Sequence, residues 1–199
     1  MKIVKRPPTL ITERLLLREL RGLDAEAIAT GAGDPRVARF LIDVPSPYPI
    51  AVARRWITNR IGWWDARRGA TLAIVERSRP DVLLGTASLR RFSRDSRAEL
   101  GYWLAHAQWG RGLATEACRA VLEWGFVGLH LERIYAQVLE GNELSCRVLD
   151  KLGMMREGVK RRHIKHEGAL RDVALYGMLK SEWPPPAIAA ATTPLSSLA

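Results

Sequence analysis

Three apolar runs follow one another with almost no chain between them: residues 71–76, 82–92 and 98–105, separated by Arg79-Pro80-Asp81 and by residues 93–97. Each is rich in aliphatic, β-branched or aromatic side chains and is bounded by turn formers, which predicts a strand. A parallel pairing needs a crossover of a dozen or more residues. Connections this short therefore force an antiparallel meander, and the rest of the chain has to pack around it.

Before the meander, Leu15-Leu16-Leu17 among charged residues predicts a strand over 10–19, broken by Gly22. Leu23, Ala27 and Ile28 are at helical spacing within 23–32, and Asp34-Pro35 forms a cap and first-turn pair opening a short helix to Phe40. A proline-bearing loop, 43–49, leads to residues 50–68, where Val52, Trp56, Ile57, Ile61 and Trp64 make the apolar stripe of a helix with an Arg-bearing polar back. The three tryptophans Trp56, Trp63 and Trp64 are expected in the core and its rim.

After the meander come a helix over 113–126 with Ala114, Ala117, Val121 and Leu122 on one face, a strand over 134–139, a helix capped by Asn142 and reaching 152, and strands over 154–160 and 169–179. The order β-α-α-β-β-β-α-β-α-β-β predicts an α+β fold on a mixed sheet. A length of 199 residues suits one domain, placed at 1–183. Residues 184–199 open with Pro184-Pro185-Pro186 and continue in Ala, Thr, Ser and Leu, which predicts a low-complexity, mobile C-terminal tail.

With 47% hydrophobic and 26% charged residues the composition is that of an ordinary globular protein. The net charge of +10 predicts attraction to anions, be they nucleic acid, an acidic membrane surface or a phosphorylated cofactor. The chain carries no apolar run of about 18 residues, and its first ten residues lack the apolar centre of an export signal, so neither a membrane span nor export is expected. Two cysteines, Cys118 and Cys146, are too few for a disulfide framework, which points to a reducing, cytoplasmic setting. His163 and His166 have no further ligands at metal spacing, and no metal is predicted.

Chemistry concentrates where the third strand of the meander ends. In Glu99-Leu-Gly-Tyr-Trp-Leu-Ala-His-Ala-Gln-Trp-Gly-Arg-Gly-Leu-Ala-Thr-Glu-Ala117 a strand passes through a glycine turn into a helix that begins with small residues. Unpaired amides converge at such a helix start and favour a phosphate. Gly110 and Gly112 let the main chain approach the anion, and Arg111 adds a charge. A P-loop would need a lysine followed by Ser or Thr, which is missing. A dinucleotide loop would need glycine where Thr115 stands and an acidic residue ending the next strand, whereas Glu132 begins one.

This segment resembles the pyrophosphate loop of the GNAT superfamily of acetyltransferases, Arg/Gln-x-x-Gly-x-Gly/Ala, with Gly112 and Ala114 on its last two positions and Trp109 in place of the Arg or Gln. Within that superfamily it is similar to the branch of the ribosomal-protein alanine and serine N-acetyltransferases, in which Trp-Gly-x-Gly-x-Ala-Thr-Glu-Ala is usual. The likeness extends to Thr12-Glu-Arg-Leu-x-Leu-Arg18, Ala98-Glu-Leu-Gly-Tyr-Trp-Leu104, Gly141-Asn-Glu-Leu-Ser-Cys-Arg-Val-Leu-Asp-Lys-Leu-Gly153, Glu157-Gly158 and Asp172-Val-Ala-Leu-Tyr176.

The resemblance implies a mostly antiparallel, twisted sheet of seven strands, splayed between the fourth and fifth, with about four flanking helices. It implies direct transfer of an acetyl group from acetyl-CoA to a primary amine, with no metal. The diphosphate would lie on Trp109, Gly110, Arg111, Gly112, Leu113, Ala114 and Thr115, and the pantetheine arm along Tyr102, Trp103, Leu104 and Ala105. Asn142 is open to two readings, helix cap or cofactor contact, while Ser145 is expected to hold or protonate the sulfur. For the general base Glu99 is the candidate, with Glu157, His163 or a water relay as alternatives. Glu116 and Glu123 are expected to be solvated helix-face charges.

Two other functions fit the same sequence features: a CoA-binding sensor without turnover, and a basic nucleic-acid-binding protein, although no nucleic-acid module is recognisable. Within the enzyme reading, residues 23–68 carry many arginines and few acids, which disfavours a polycationic acceptor. A protein N-terminus or a small amino compound, including an amine that bears a carboxylate, is expected. Contact with nucleic acid is expected only through a ribosomal substrate, and the chain is expected to act as a monomer or homodimer.

Overall fold

The computed structural model describes residues 6–42, 44–90, 92 and 95–183; the expected tail at 184–199 lies outside them, as does Asp43 of the proline loop. Eight strands form one sheet: β1 (Leu10–Ile11), β2 (Leu15–Glu19), β3 (Gly69–Glu76), β4 (Arg79–Arg90), β5 (Arg97–Leu104), β6 (Arg133–Leu139), β7 (Met155–His166) and β8 (Ala169–Leu179). Among the described residues five α-helices flank them: α1 (Ala25–Gly33), α2 (Pro35–Ala38), α3 (Ile50–Asp65), α4 (Leu113–Glu123) and α5 (Glu143–Lys151). The strand order is β1-β2-β3-β4-β5-β6-β8-β7. Among the described residues only β5 and β6 run parallel.

The expected strand over 10–19 is two strands because Thr12 turns the chain. Its Oγ1 accepts from the Leu15 amide at 3.0 Å and its amide donates to the Leu15 carbonyl at 3.0 Å. That accounts for eight strands where seven were expected. The Asp34 side chain caps α2 through the Arg36 amide at 2.9 Å, as the Asp-Pro pair predicts. Leu23, expected on a helical apolar face, is 88% exposed on the turn preceding α1. The second-to-last strand continues beyond 160 to His166, so the basic run 160–165 lies on a hairpin arm.

Alternation along the strands divides the core into two layers. Leu72, Ile74, Leu89, Leu100 and Ile134 pack beneath α4 and α5 with Phe126 and Leu149. On the other face Ala73, Leu83 and Trp103 meet Ile28, Ala53 and Ile57 of α1 and α3. The two layers part company at β5 and β6: their parallel ladder runs from Arg97–Arg133 to Leu100–Ala136 and stops, although β5 continues to Leu104 and β6 to Leu139.

A buried ion pair ties β2 to the start of α1. Arg18 and Asp24 are 5% and 2% exposed, and the guanidinium meets the carboxylate in two bonds of 2.9 and 2.8 Å. Further bonds surround the pair: Arg18 donates to the carbonyls of Pro80 and Glu19, each at 3.0 Å, and Asp24 accepts from the Arg21 amide at 2.7 Å. Removing one partner strands the other in the interior. Asp24→Ala should lower the free energy of unfolding by about 3 kcal/mol in urea titration. Arg18→Met/Asp24→Leu should recover most of that loss.

Candidate active site

The site begins at the glycine turn. Gly110 and Gly112 both have φ of +76°, the left-handed region, so the chain reverses from β5 into α4 within a few residues. A Cβ built at Gly110 meets nothing within 4 Å, and at Gly112 only an Arg14 nitrogen at 3.6 Å. The first helical bond of α4 is donated by the Glu116 amide to the Gly112 carbonyl at 3.1 Å. Among the described residues, none of the amides of Gly110, Arg111, Gly112, Leu113, Ala114 or Thr115 donates to a backbone carbonyl. These are the orphan donors of a helix start, and they open on solvent-accessible space.

Side chains hold this loop in place more than they decorate it. The Trp109 indole donates to the Leu104 carbonyl at 2.9 Å, and its ring lies 4.9 Å from that of His106. Arg111 turns away from the amides: it bonds Gln108 and pairs with Glu76 at 2.9 Å. The cation that does stand beside the loop is Arg14, which donates to the Arg111 carbonyl at 3.0 Å. Glu116 is not a solvated charge but the anchor of that arginine. It accepts from Thr12 Oγ1 at 2.6 Å, the Arg14 amide at 2.9 Å and Arg14 Nε at 2.6 Å. Burial would raise its carboxyl, but these hydrogen bonds hold it below the ordinary carboxylate value.

From the loop a cavity of about 430 Å³ runs between the parted ends of β5 and β6. Along β5 the main-chain groups alternate. The Ala105 amide donates to the Leu84 carbonyl at 2.8 Å, so Trp103 and Gly101 also turn to β4, whereas Tyr102 and Leu104 face the gap. Of the four residues expected to offer main-chain contacts, Trp103 and Ala105 are thus committed to the sheet. The Leu104 carbonyl is taken by Trp109. The Trp103 ring instead packs on Gly31 of α1, where an added Cβ would stand 3.1 Å from it.

Asn142 caps α5: its Oδ1 accepts from the Ser145 amide at 3.1 Å. The structure brings Ser145 to Tyr102, with Oγ and Oη 2.7 Å apart. Burial pushes the Tyr102 phenol far above its ordinary value, so it stays protonated at neutral pH. Both residues line the cavity. The two are 43 positions apart in sequence, and nothing local in either segment announces the pairing.

The carboxylate candidates lie elsewhere. Glu99 is 1% exposed, its Oε1 accepts from Arg90 Nη2 at 2.7 Å, and it is not among the cavity's lining residues, whereas Arg90 is. Glu157 holds Arg133 in two bonds of 2.6 and 2.5 Å, and that pairing keeps its carboxyl below the usual range. His163 is exposed on the β7 arm, away from the described lining. Among the described residues no cluster of His, Cys, Asp or Glu could hold a metal ion, and no helix is long and apolar enough to cross a membrane.

Sequence reasoning missed Arg60, which it placed on the polar back of α3. Its guanidinium stacks over the Trp63 ring at 3.7 Å and lies 5.2 Å from that of Trp56, facing the cavity. The signal was present: residues 56, 60 and 63 are four and three positions apart, which is one face of a helix.

Residues 14–155 match the family model of the acetyltransferase (GNAT) domain. The chain is 32% identical over 178 residues to the uncharacterized N-acetyltransferase p20 of Bacillus licheniformis, covering 88% of this chain and 98% of that protein. Among solved structures, Mycobacterium smegmatis RimJ in complex with CoA-disulfide superposes with a TM-score of 0.80 at 23% identity, over 90% of each chain. The ribosomal-protein-S5-alanine acetyltransferase of Vibrio fischeri superposes with a TM-score of 0.78 at 21% identity, over 90% of this chain and all of that one. Those two likenesses speak for the fold, and the family match and p20 for the lineage: the chain belongs to the GNAT family of N-acetyltransferases.

Proposed function

We propose that this acetyltransferase takes its acetyl group from acetyl-CoA and passes it directly to a primary amine, either a protein N-terminus or a small amino compound, in a cytoplasmic setting. The observation that carries the reading is the row of unpaired amides from Gly110 to Thr115 at the mouth of a cavity that runs between parted strands. A diphosphate suits that row, with Arg14 beside it. Lys151, which lines both this cavity and a shallow hollow shared with Gly112 and Thr115, supplies a second cation. The CoA carried by the M. smegmatis relative supports the same donor.

In the reaction the amine nitrogen bonds to the thioester carbonyl carbon, the C–S bond breaks, the amine loses a proton and the departing thiolate gains one. Main-chain groups of Tyr102 and the amide of Leu104 are the ones free to receive an extended arm and its carbonyl oxygen. The Tyr102–Ser145 hydroxyl pair is the proton source for sulfur: a phenol kept neutral by burial donates through or alongside Ser145 Oγ. For the amine's own proton the described lining offers neither carboxylate nor imidazole, so water carries it away. Glu99 then acts by holding Arg90, as a positioning residue.

Three outcomes test this. Gly112→Ala should weaken acetyl-CoA binding by about tenfold in calorimetry, since the left-handed backbone that presents the amides costs an alanine about 1 kcal/mol and the added Cβ would stand 3.6 Å from an Arg14 nitrogen; acetyl-pantetheine, which has no diphosphate, should bind both proteins alike. Ser145→Ala and Tyr102→Phe should each lower kcat for thiol release by about 100-fold with little change in KM for acetyl-CoA, and the double variant should be scarcely worse than either. With water as the acceptor of the proton, kcat/KM should climb with pH until the acceptor amine's own pKa. A plateau near pH 6 to 7 would point instead to a dedicated protein base.

A further inference from the structure

The described residues that line the cavity include four cations, Arg60, Arg90, Arg147 and Lys151, and no aspartate or glutamate. Arg147 and Lys151 belong to α5, on the sheet face that carries the glycine loop. Arg60, on α3, and Arg90, on β4 next to Leu89 in the α4 layer, lie on the opposite face. An amine-binding end of a cavity would be expected to repel a bare cationic amine if two guanidiniums guard it. Something in the acceptor has to answer them.

Arg60 is the less satisfied of the two. Arg90 has its carboxylate, Glu99 at 2.7 Å. Arg60 lies between Trp56 and Trp63, and its Nη1 is buried with no hydrogen-bond partner among the described residues. Its guanidinium is brought down to about 10, first by burial and then by the charge of Arg90, so it is still a cation at neutral pH. A buried, charged donor left unpaired is unfavourable, a cost that an anionic ligand would remove. Tyr48, Thr71, Thr86 and Ser88 line the same cavity with hydroxyl groups.

We propose that the acceptor is a primary amine bearing an anionic group, a carboxylate in the first instance, and that Arg60, backed by Arg90 and the neighbouring hydroxyls, receives that anion while the amine faces the gap between β5 and β6. The proposal rests on the acetyl-transfer reading above and narrows its acceptor. Glycine, an α-amino acid with its amine beside the carboxylate, and a peptide terminus with an acidic second residue present the same chemistry.

The test measures thiol release from acetyl-CoA with matched pairs: glycine against glycinamide, and a peptide beginning Ala-Asp against one beginning Ala-Asn. The anionic member of at least one pair should be favoured by about 10- to 100-fold in kcat/KM, chiefly through KM. Arg60→Gln should bring that ratio close to one, and Arg60→Lys should restore part of it. Discrimination in the glycine pair identifies a small amino acid and in the peptide pair a protein terminus. Equal turnover within both pairs, or a preference that survives Arg60→Gln, overturns the proposal. In parallel, calorimetry compares N-acetylglycine with N-acetylglycinamide, and an N-acetyl-Ala-Asp peptide with its Ala-Asn counterpart, each on the CoA-loaded protein. A carboxylate preference lost in Arg60→Gln supports the proposal, and equal affinity within both pairs overturns it. Absence of thiol release with every amine would sink the acetyl-transfer reading itself, while the calorimetric comparison still decides the role of Arg60.

Discussion

The structure turns on a pairing that stops early. Four residues of β5 and β6 lie side by side in parallel, and beyond Leu100 and Ala136 the two strands separate. A sheet interior rarely leaves main-chain groups without partners, because an unmet amide in a dry place costs about as much as a lost hydrogen bond. Here the parted strands border an open cavity, so their free groups are available to a ligand. The glycine turn at the end of β5 then delivers a second set of free amides to the mouth of the same cavity.

Electrostatics follows from that geometry. The acids nearest the site, Glu76, Glu99 and Glu116, each grip an arginine, and none of them lines the cavity. Their effect is to fix cations in place around a space whose described walls carry only positive charge. The chain's excess of basic residues therefore has a local meaning in addition to a global one. Four of its cations, Arg60, Arg90, Arg147 and Lys151, line this one space.

Much of the architecture was legible because it is encoded locally. Short turns dictated the meander, Asp34-Pro35 and Asn142 announced helix starts through capping chemistry, and Gly110 and Gly112 marked the reversal into α4. What escaped depends on partners distant in sequence. Glu99 could not be assigned to a face until Arg90 was seen across the ladder. Glu116 looked solvated until Thr12 and Arg14, about a hundred residues earlier, were found on it. The Tyr102–Ser145 contact joins a strand to a helix that share no local signal. Arg60 is the instructive exception, since its helical register with Trp56 and Trp63 was readable and was passed over as part of a basic surface.

The indole of Trp109 occupies the Leu104 carbonyl, the last acceptor on the open edge of β5. An extended molecule laid along that edge can exchange bonds in both directions at Tyr102, but one step further on it has to share the acceptor with the indole. It has to leave the strand there and bend toward the glycine turn. On the acetyl-CoA reading proposed above, the tryptophan would be an end-stop, limiting how far an arm runs straight along β5 before it turns toward the glycine loop.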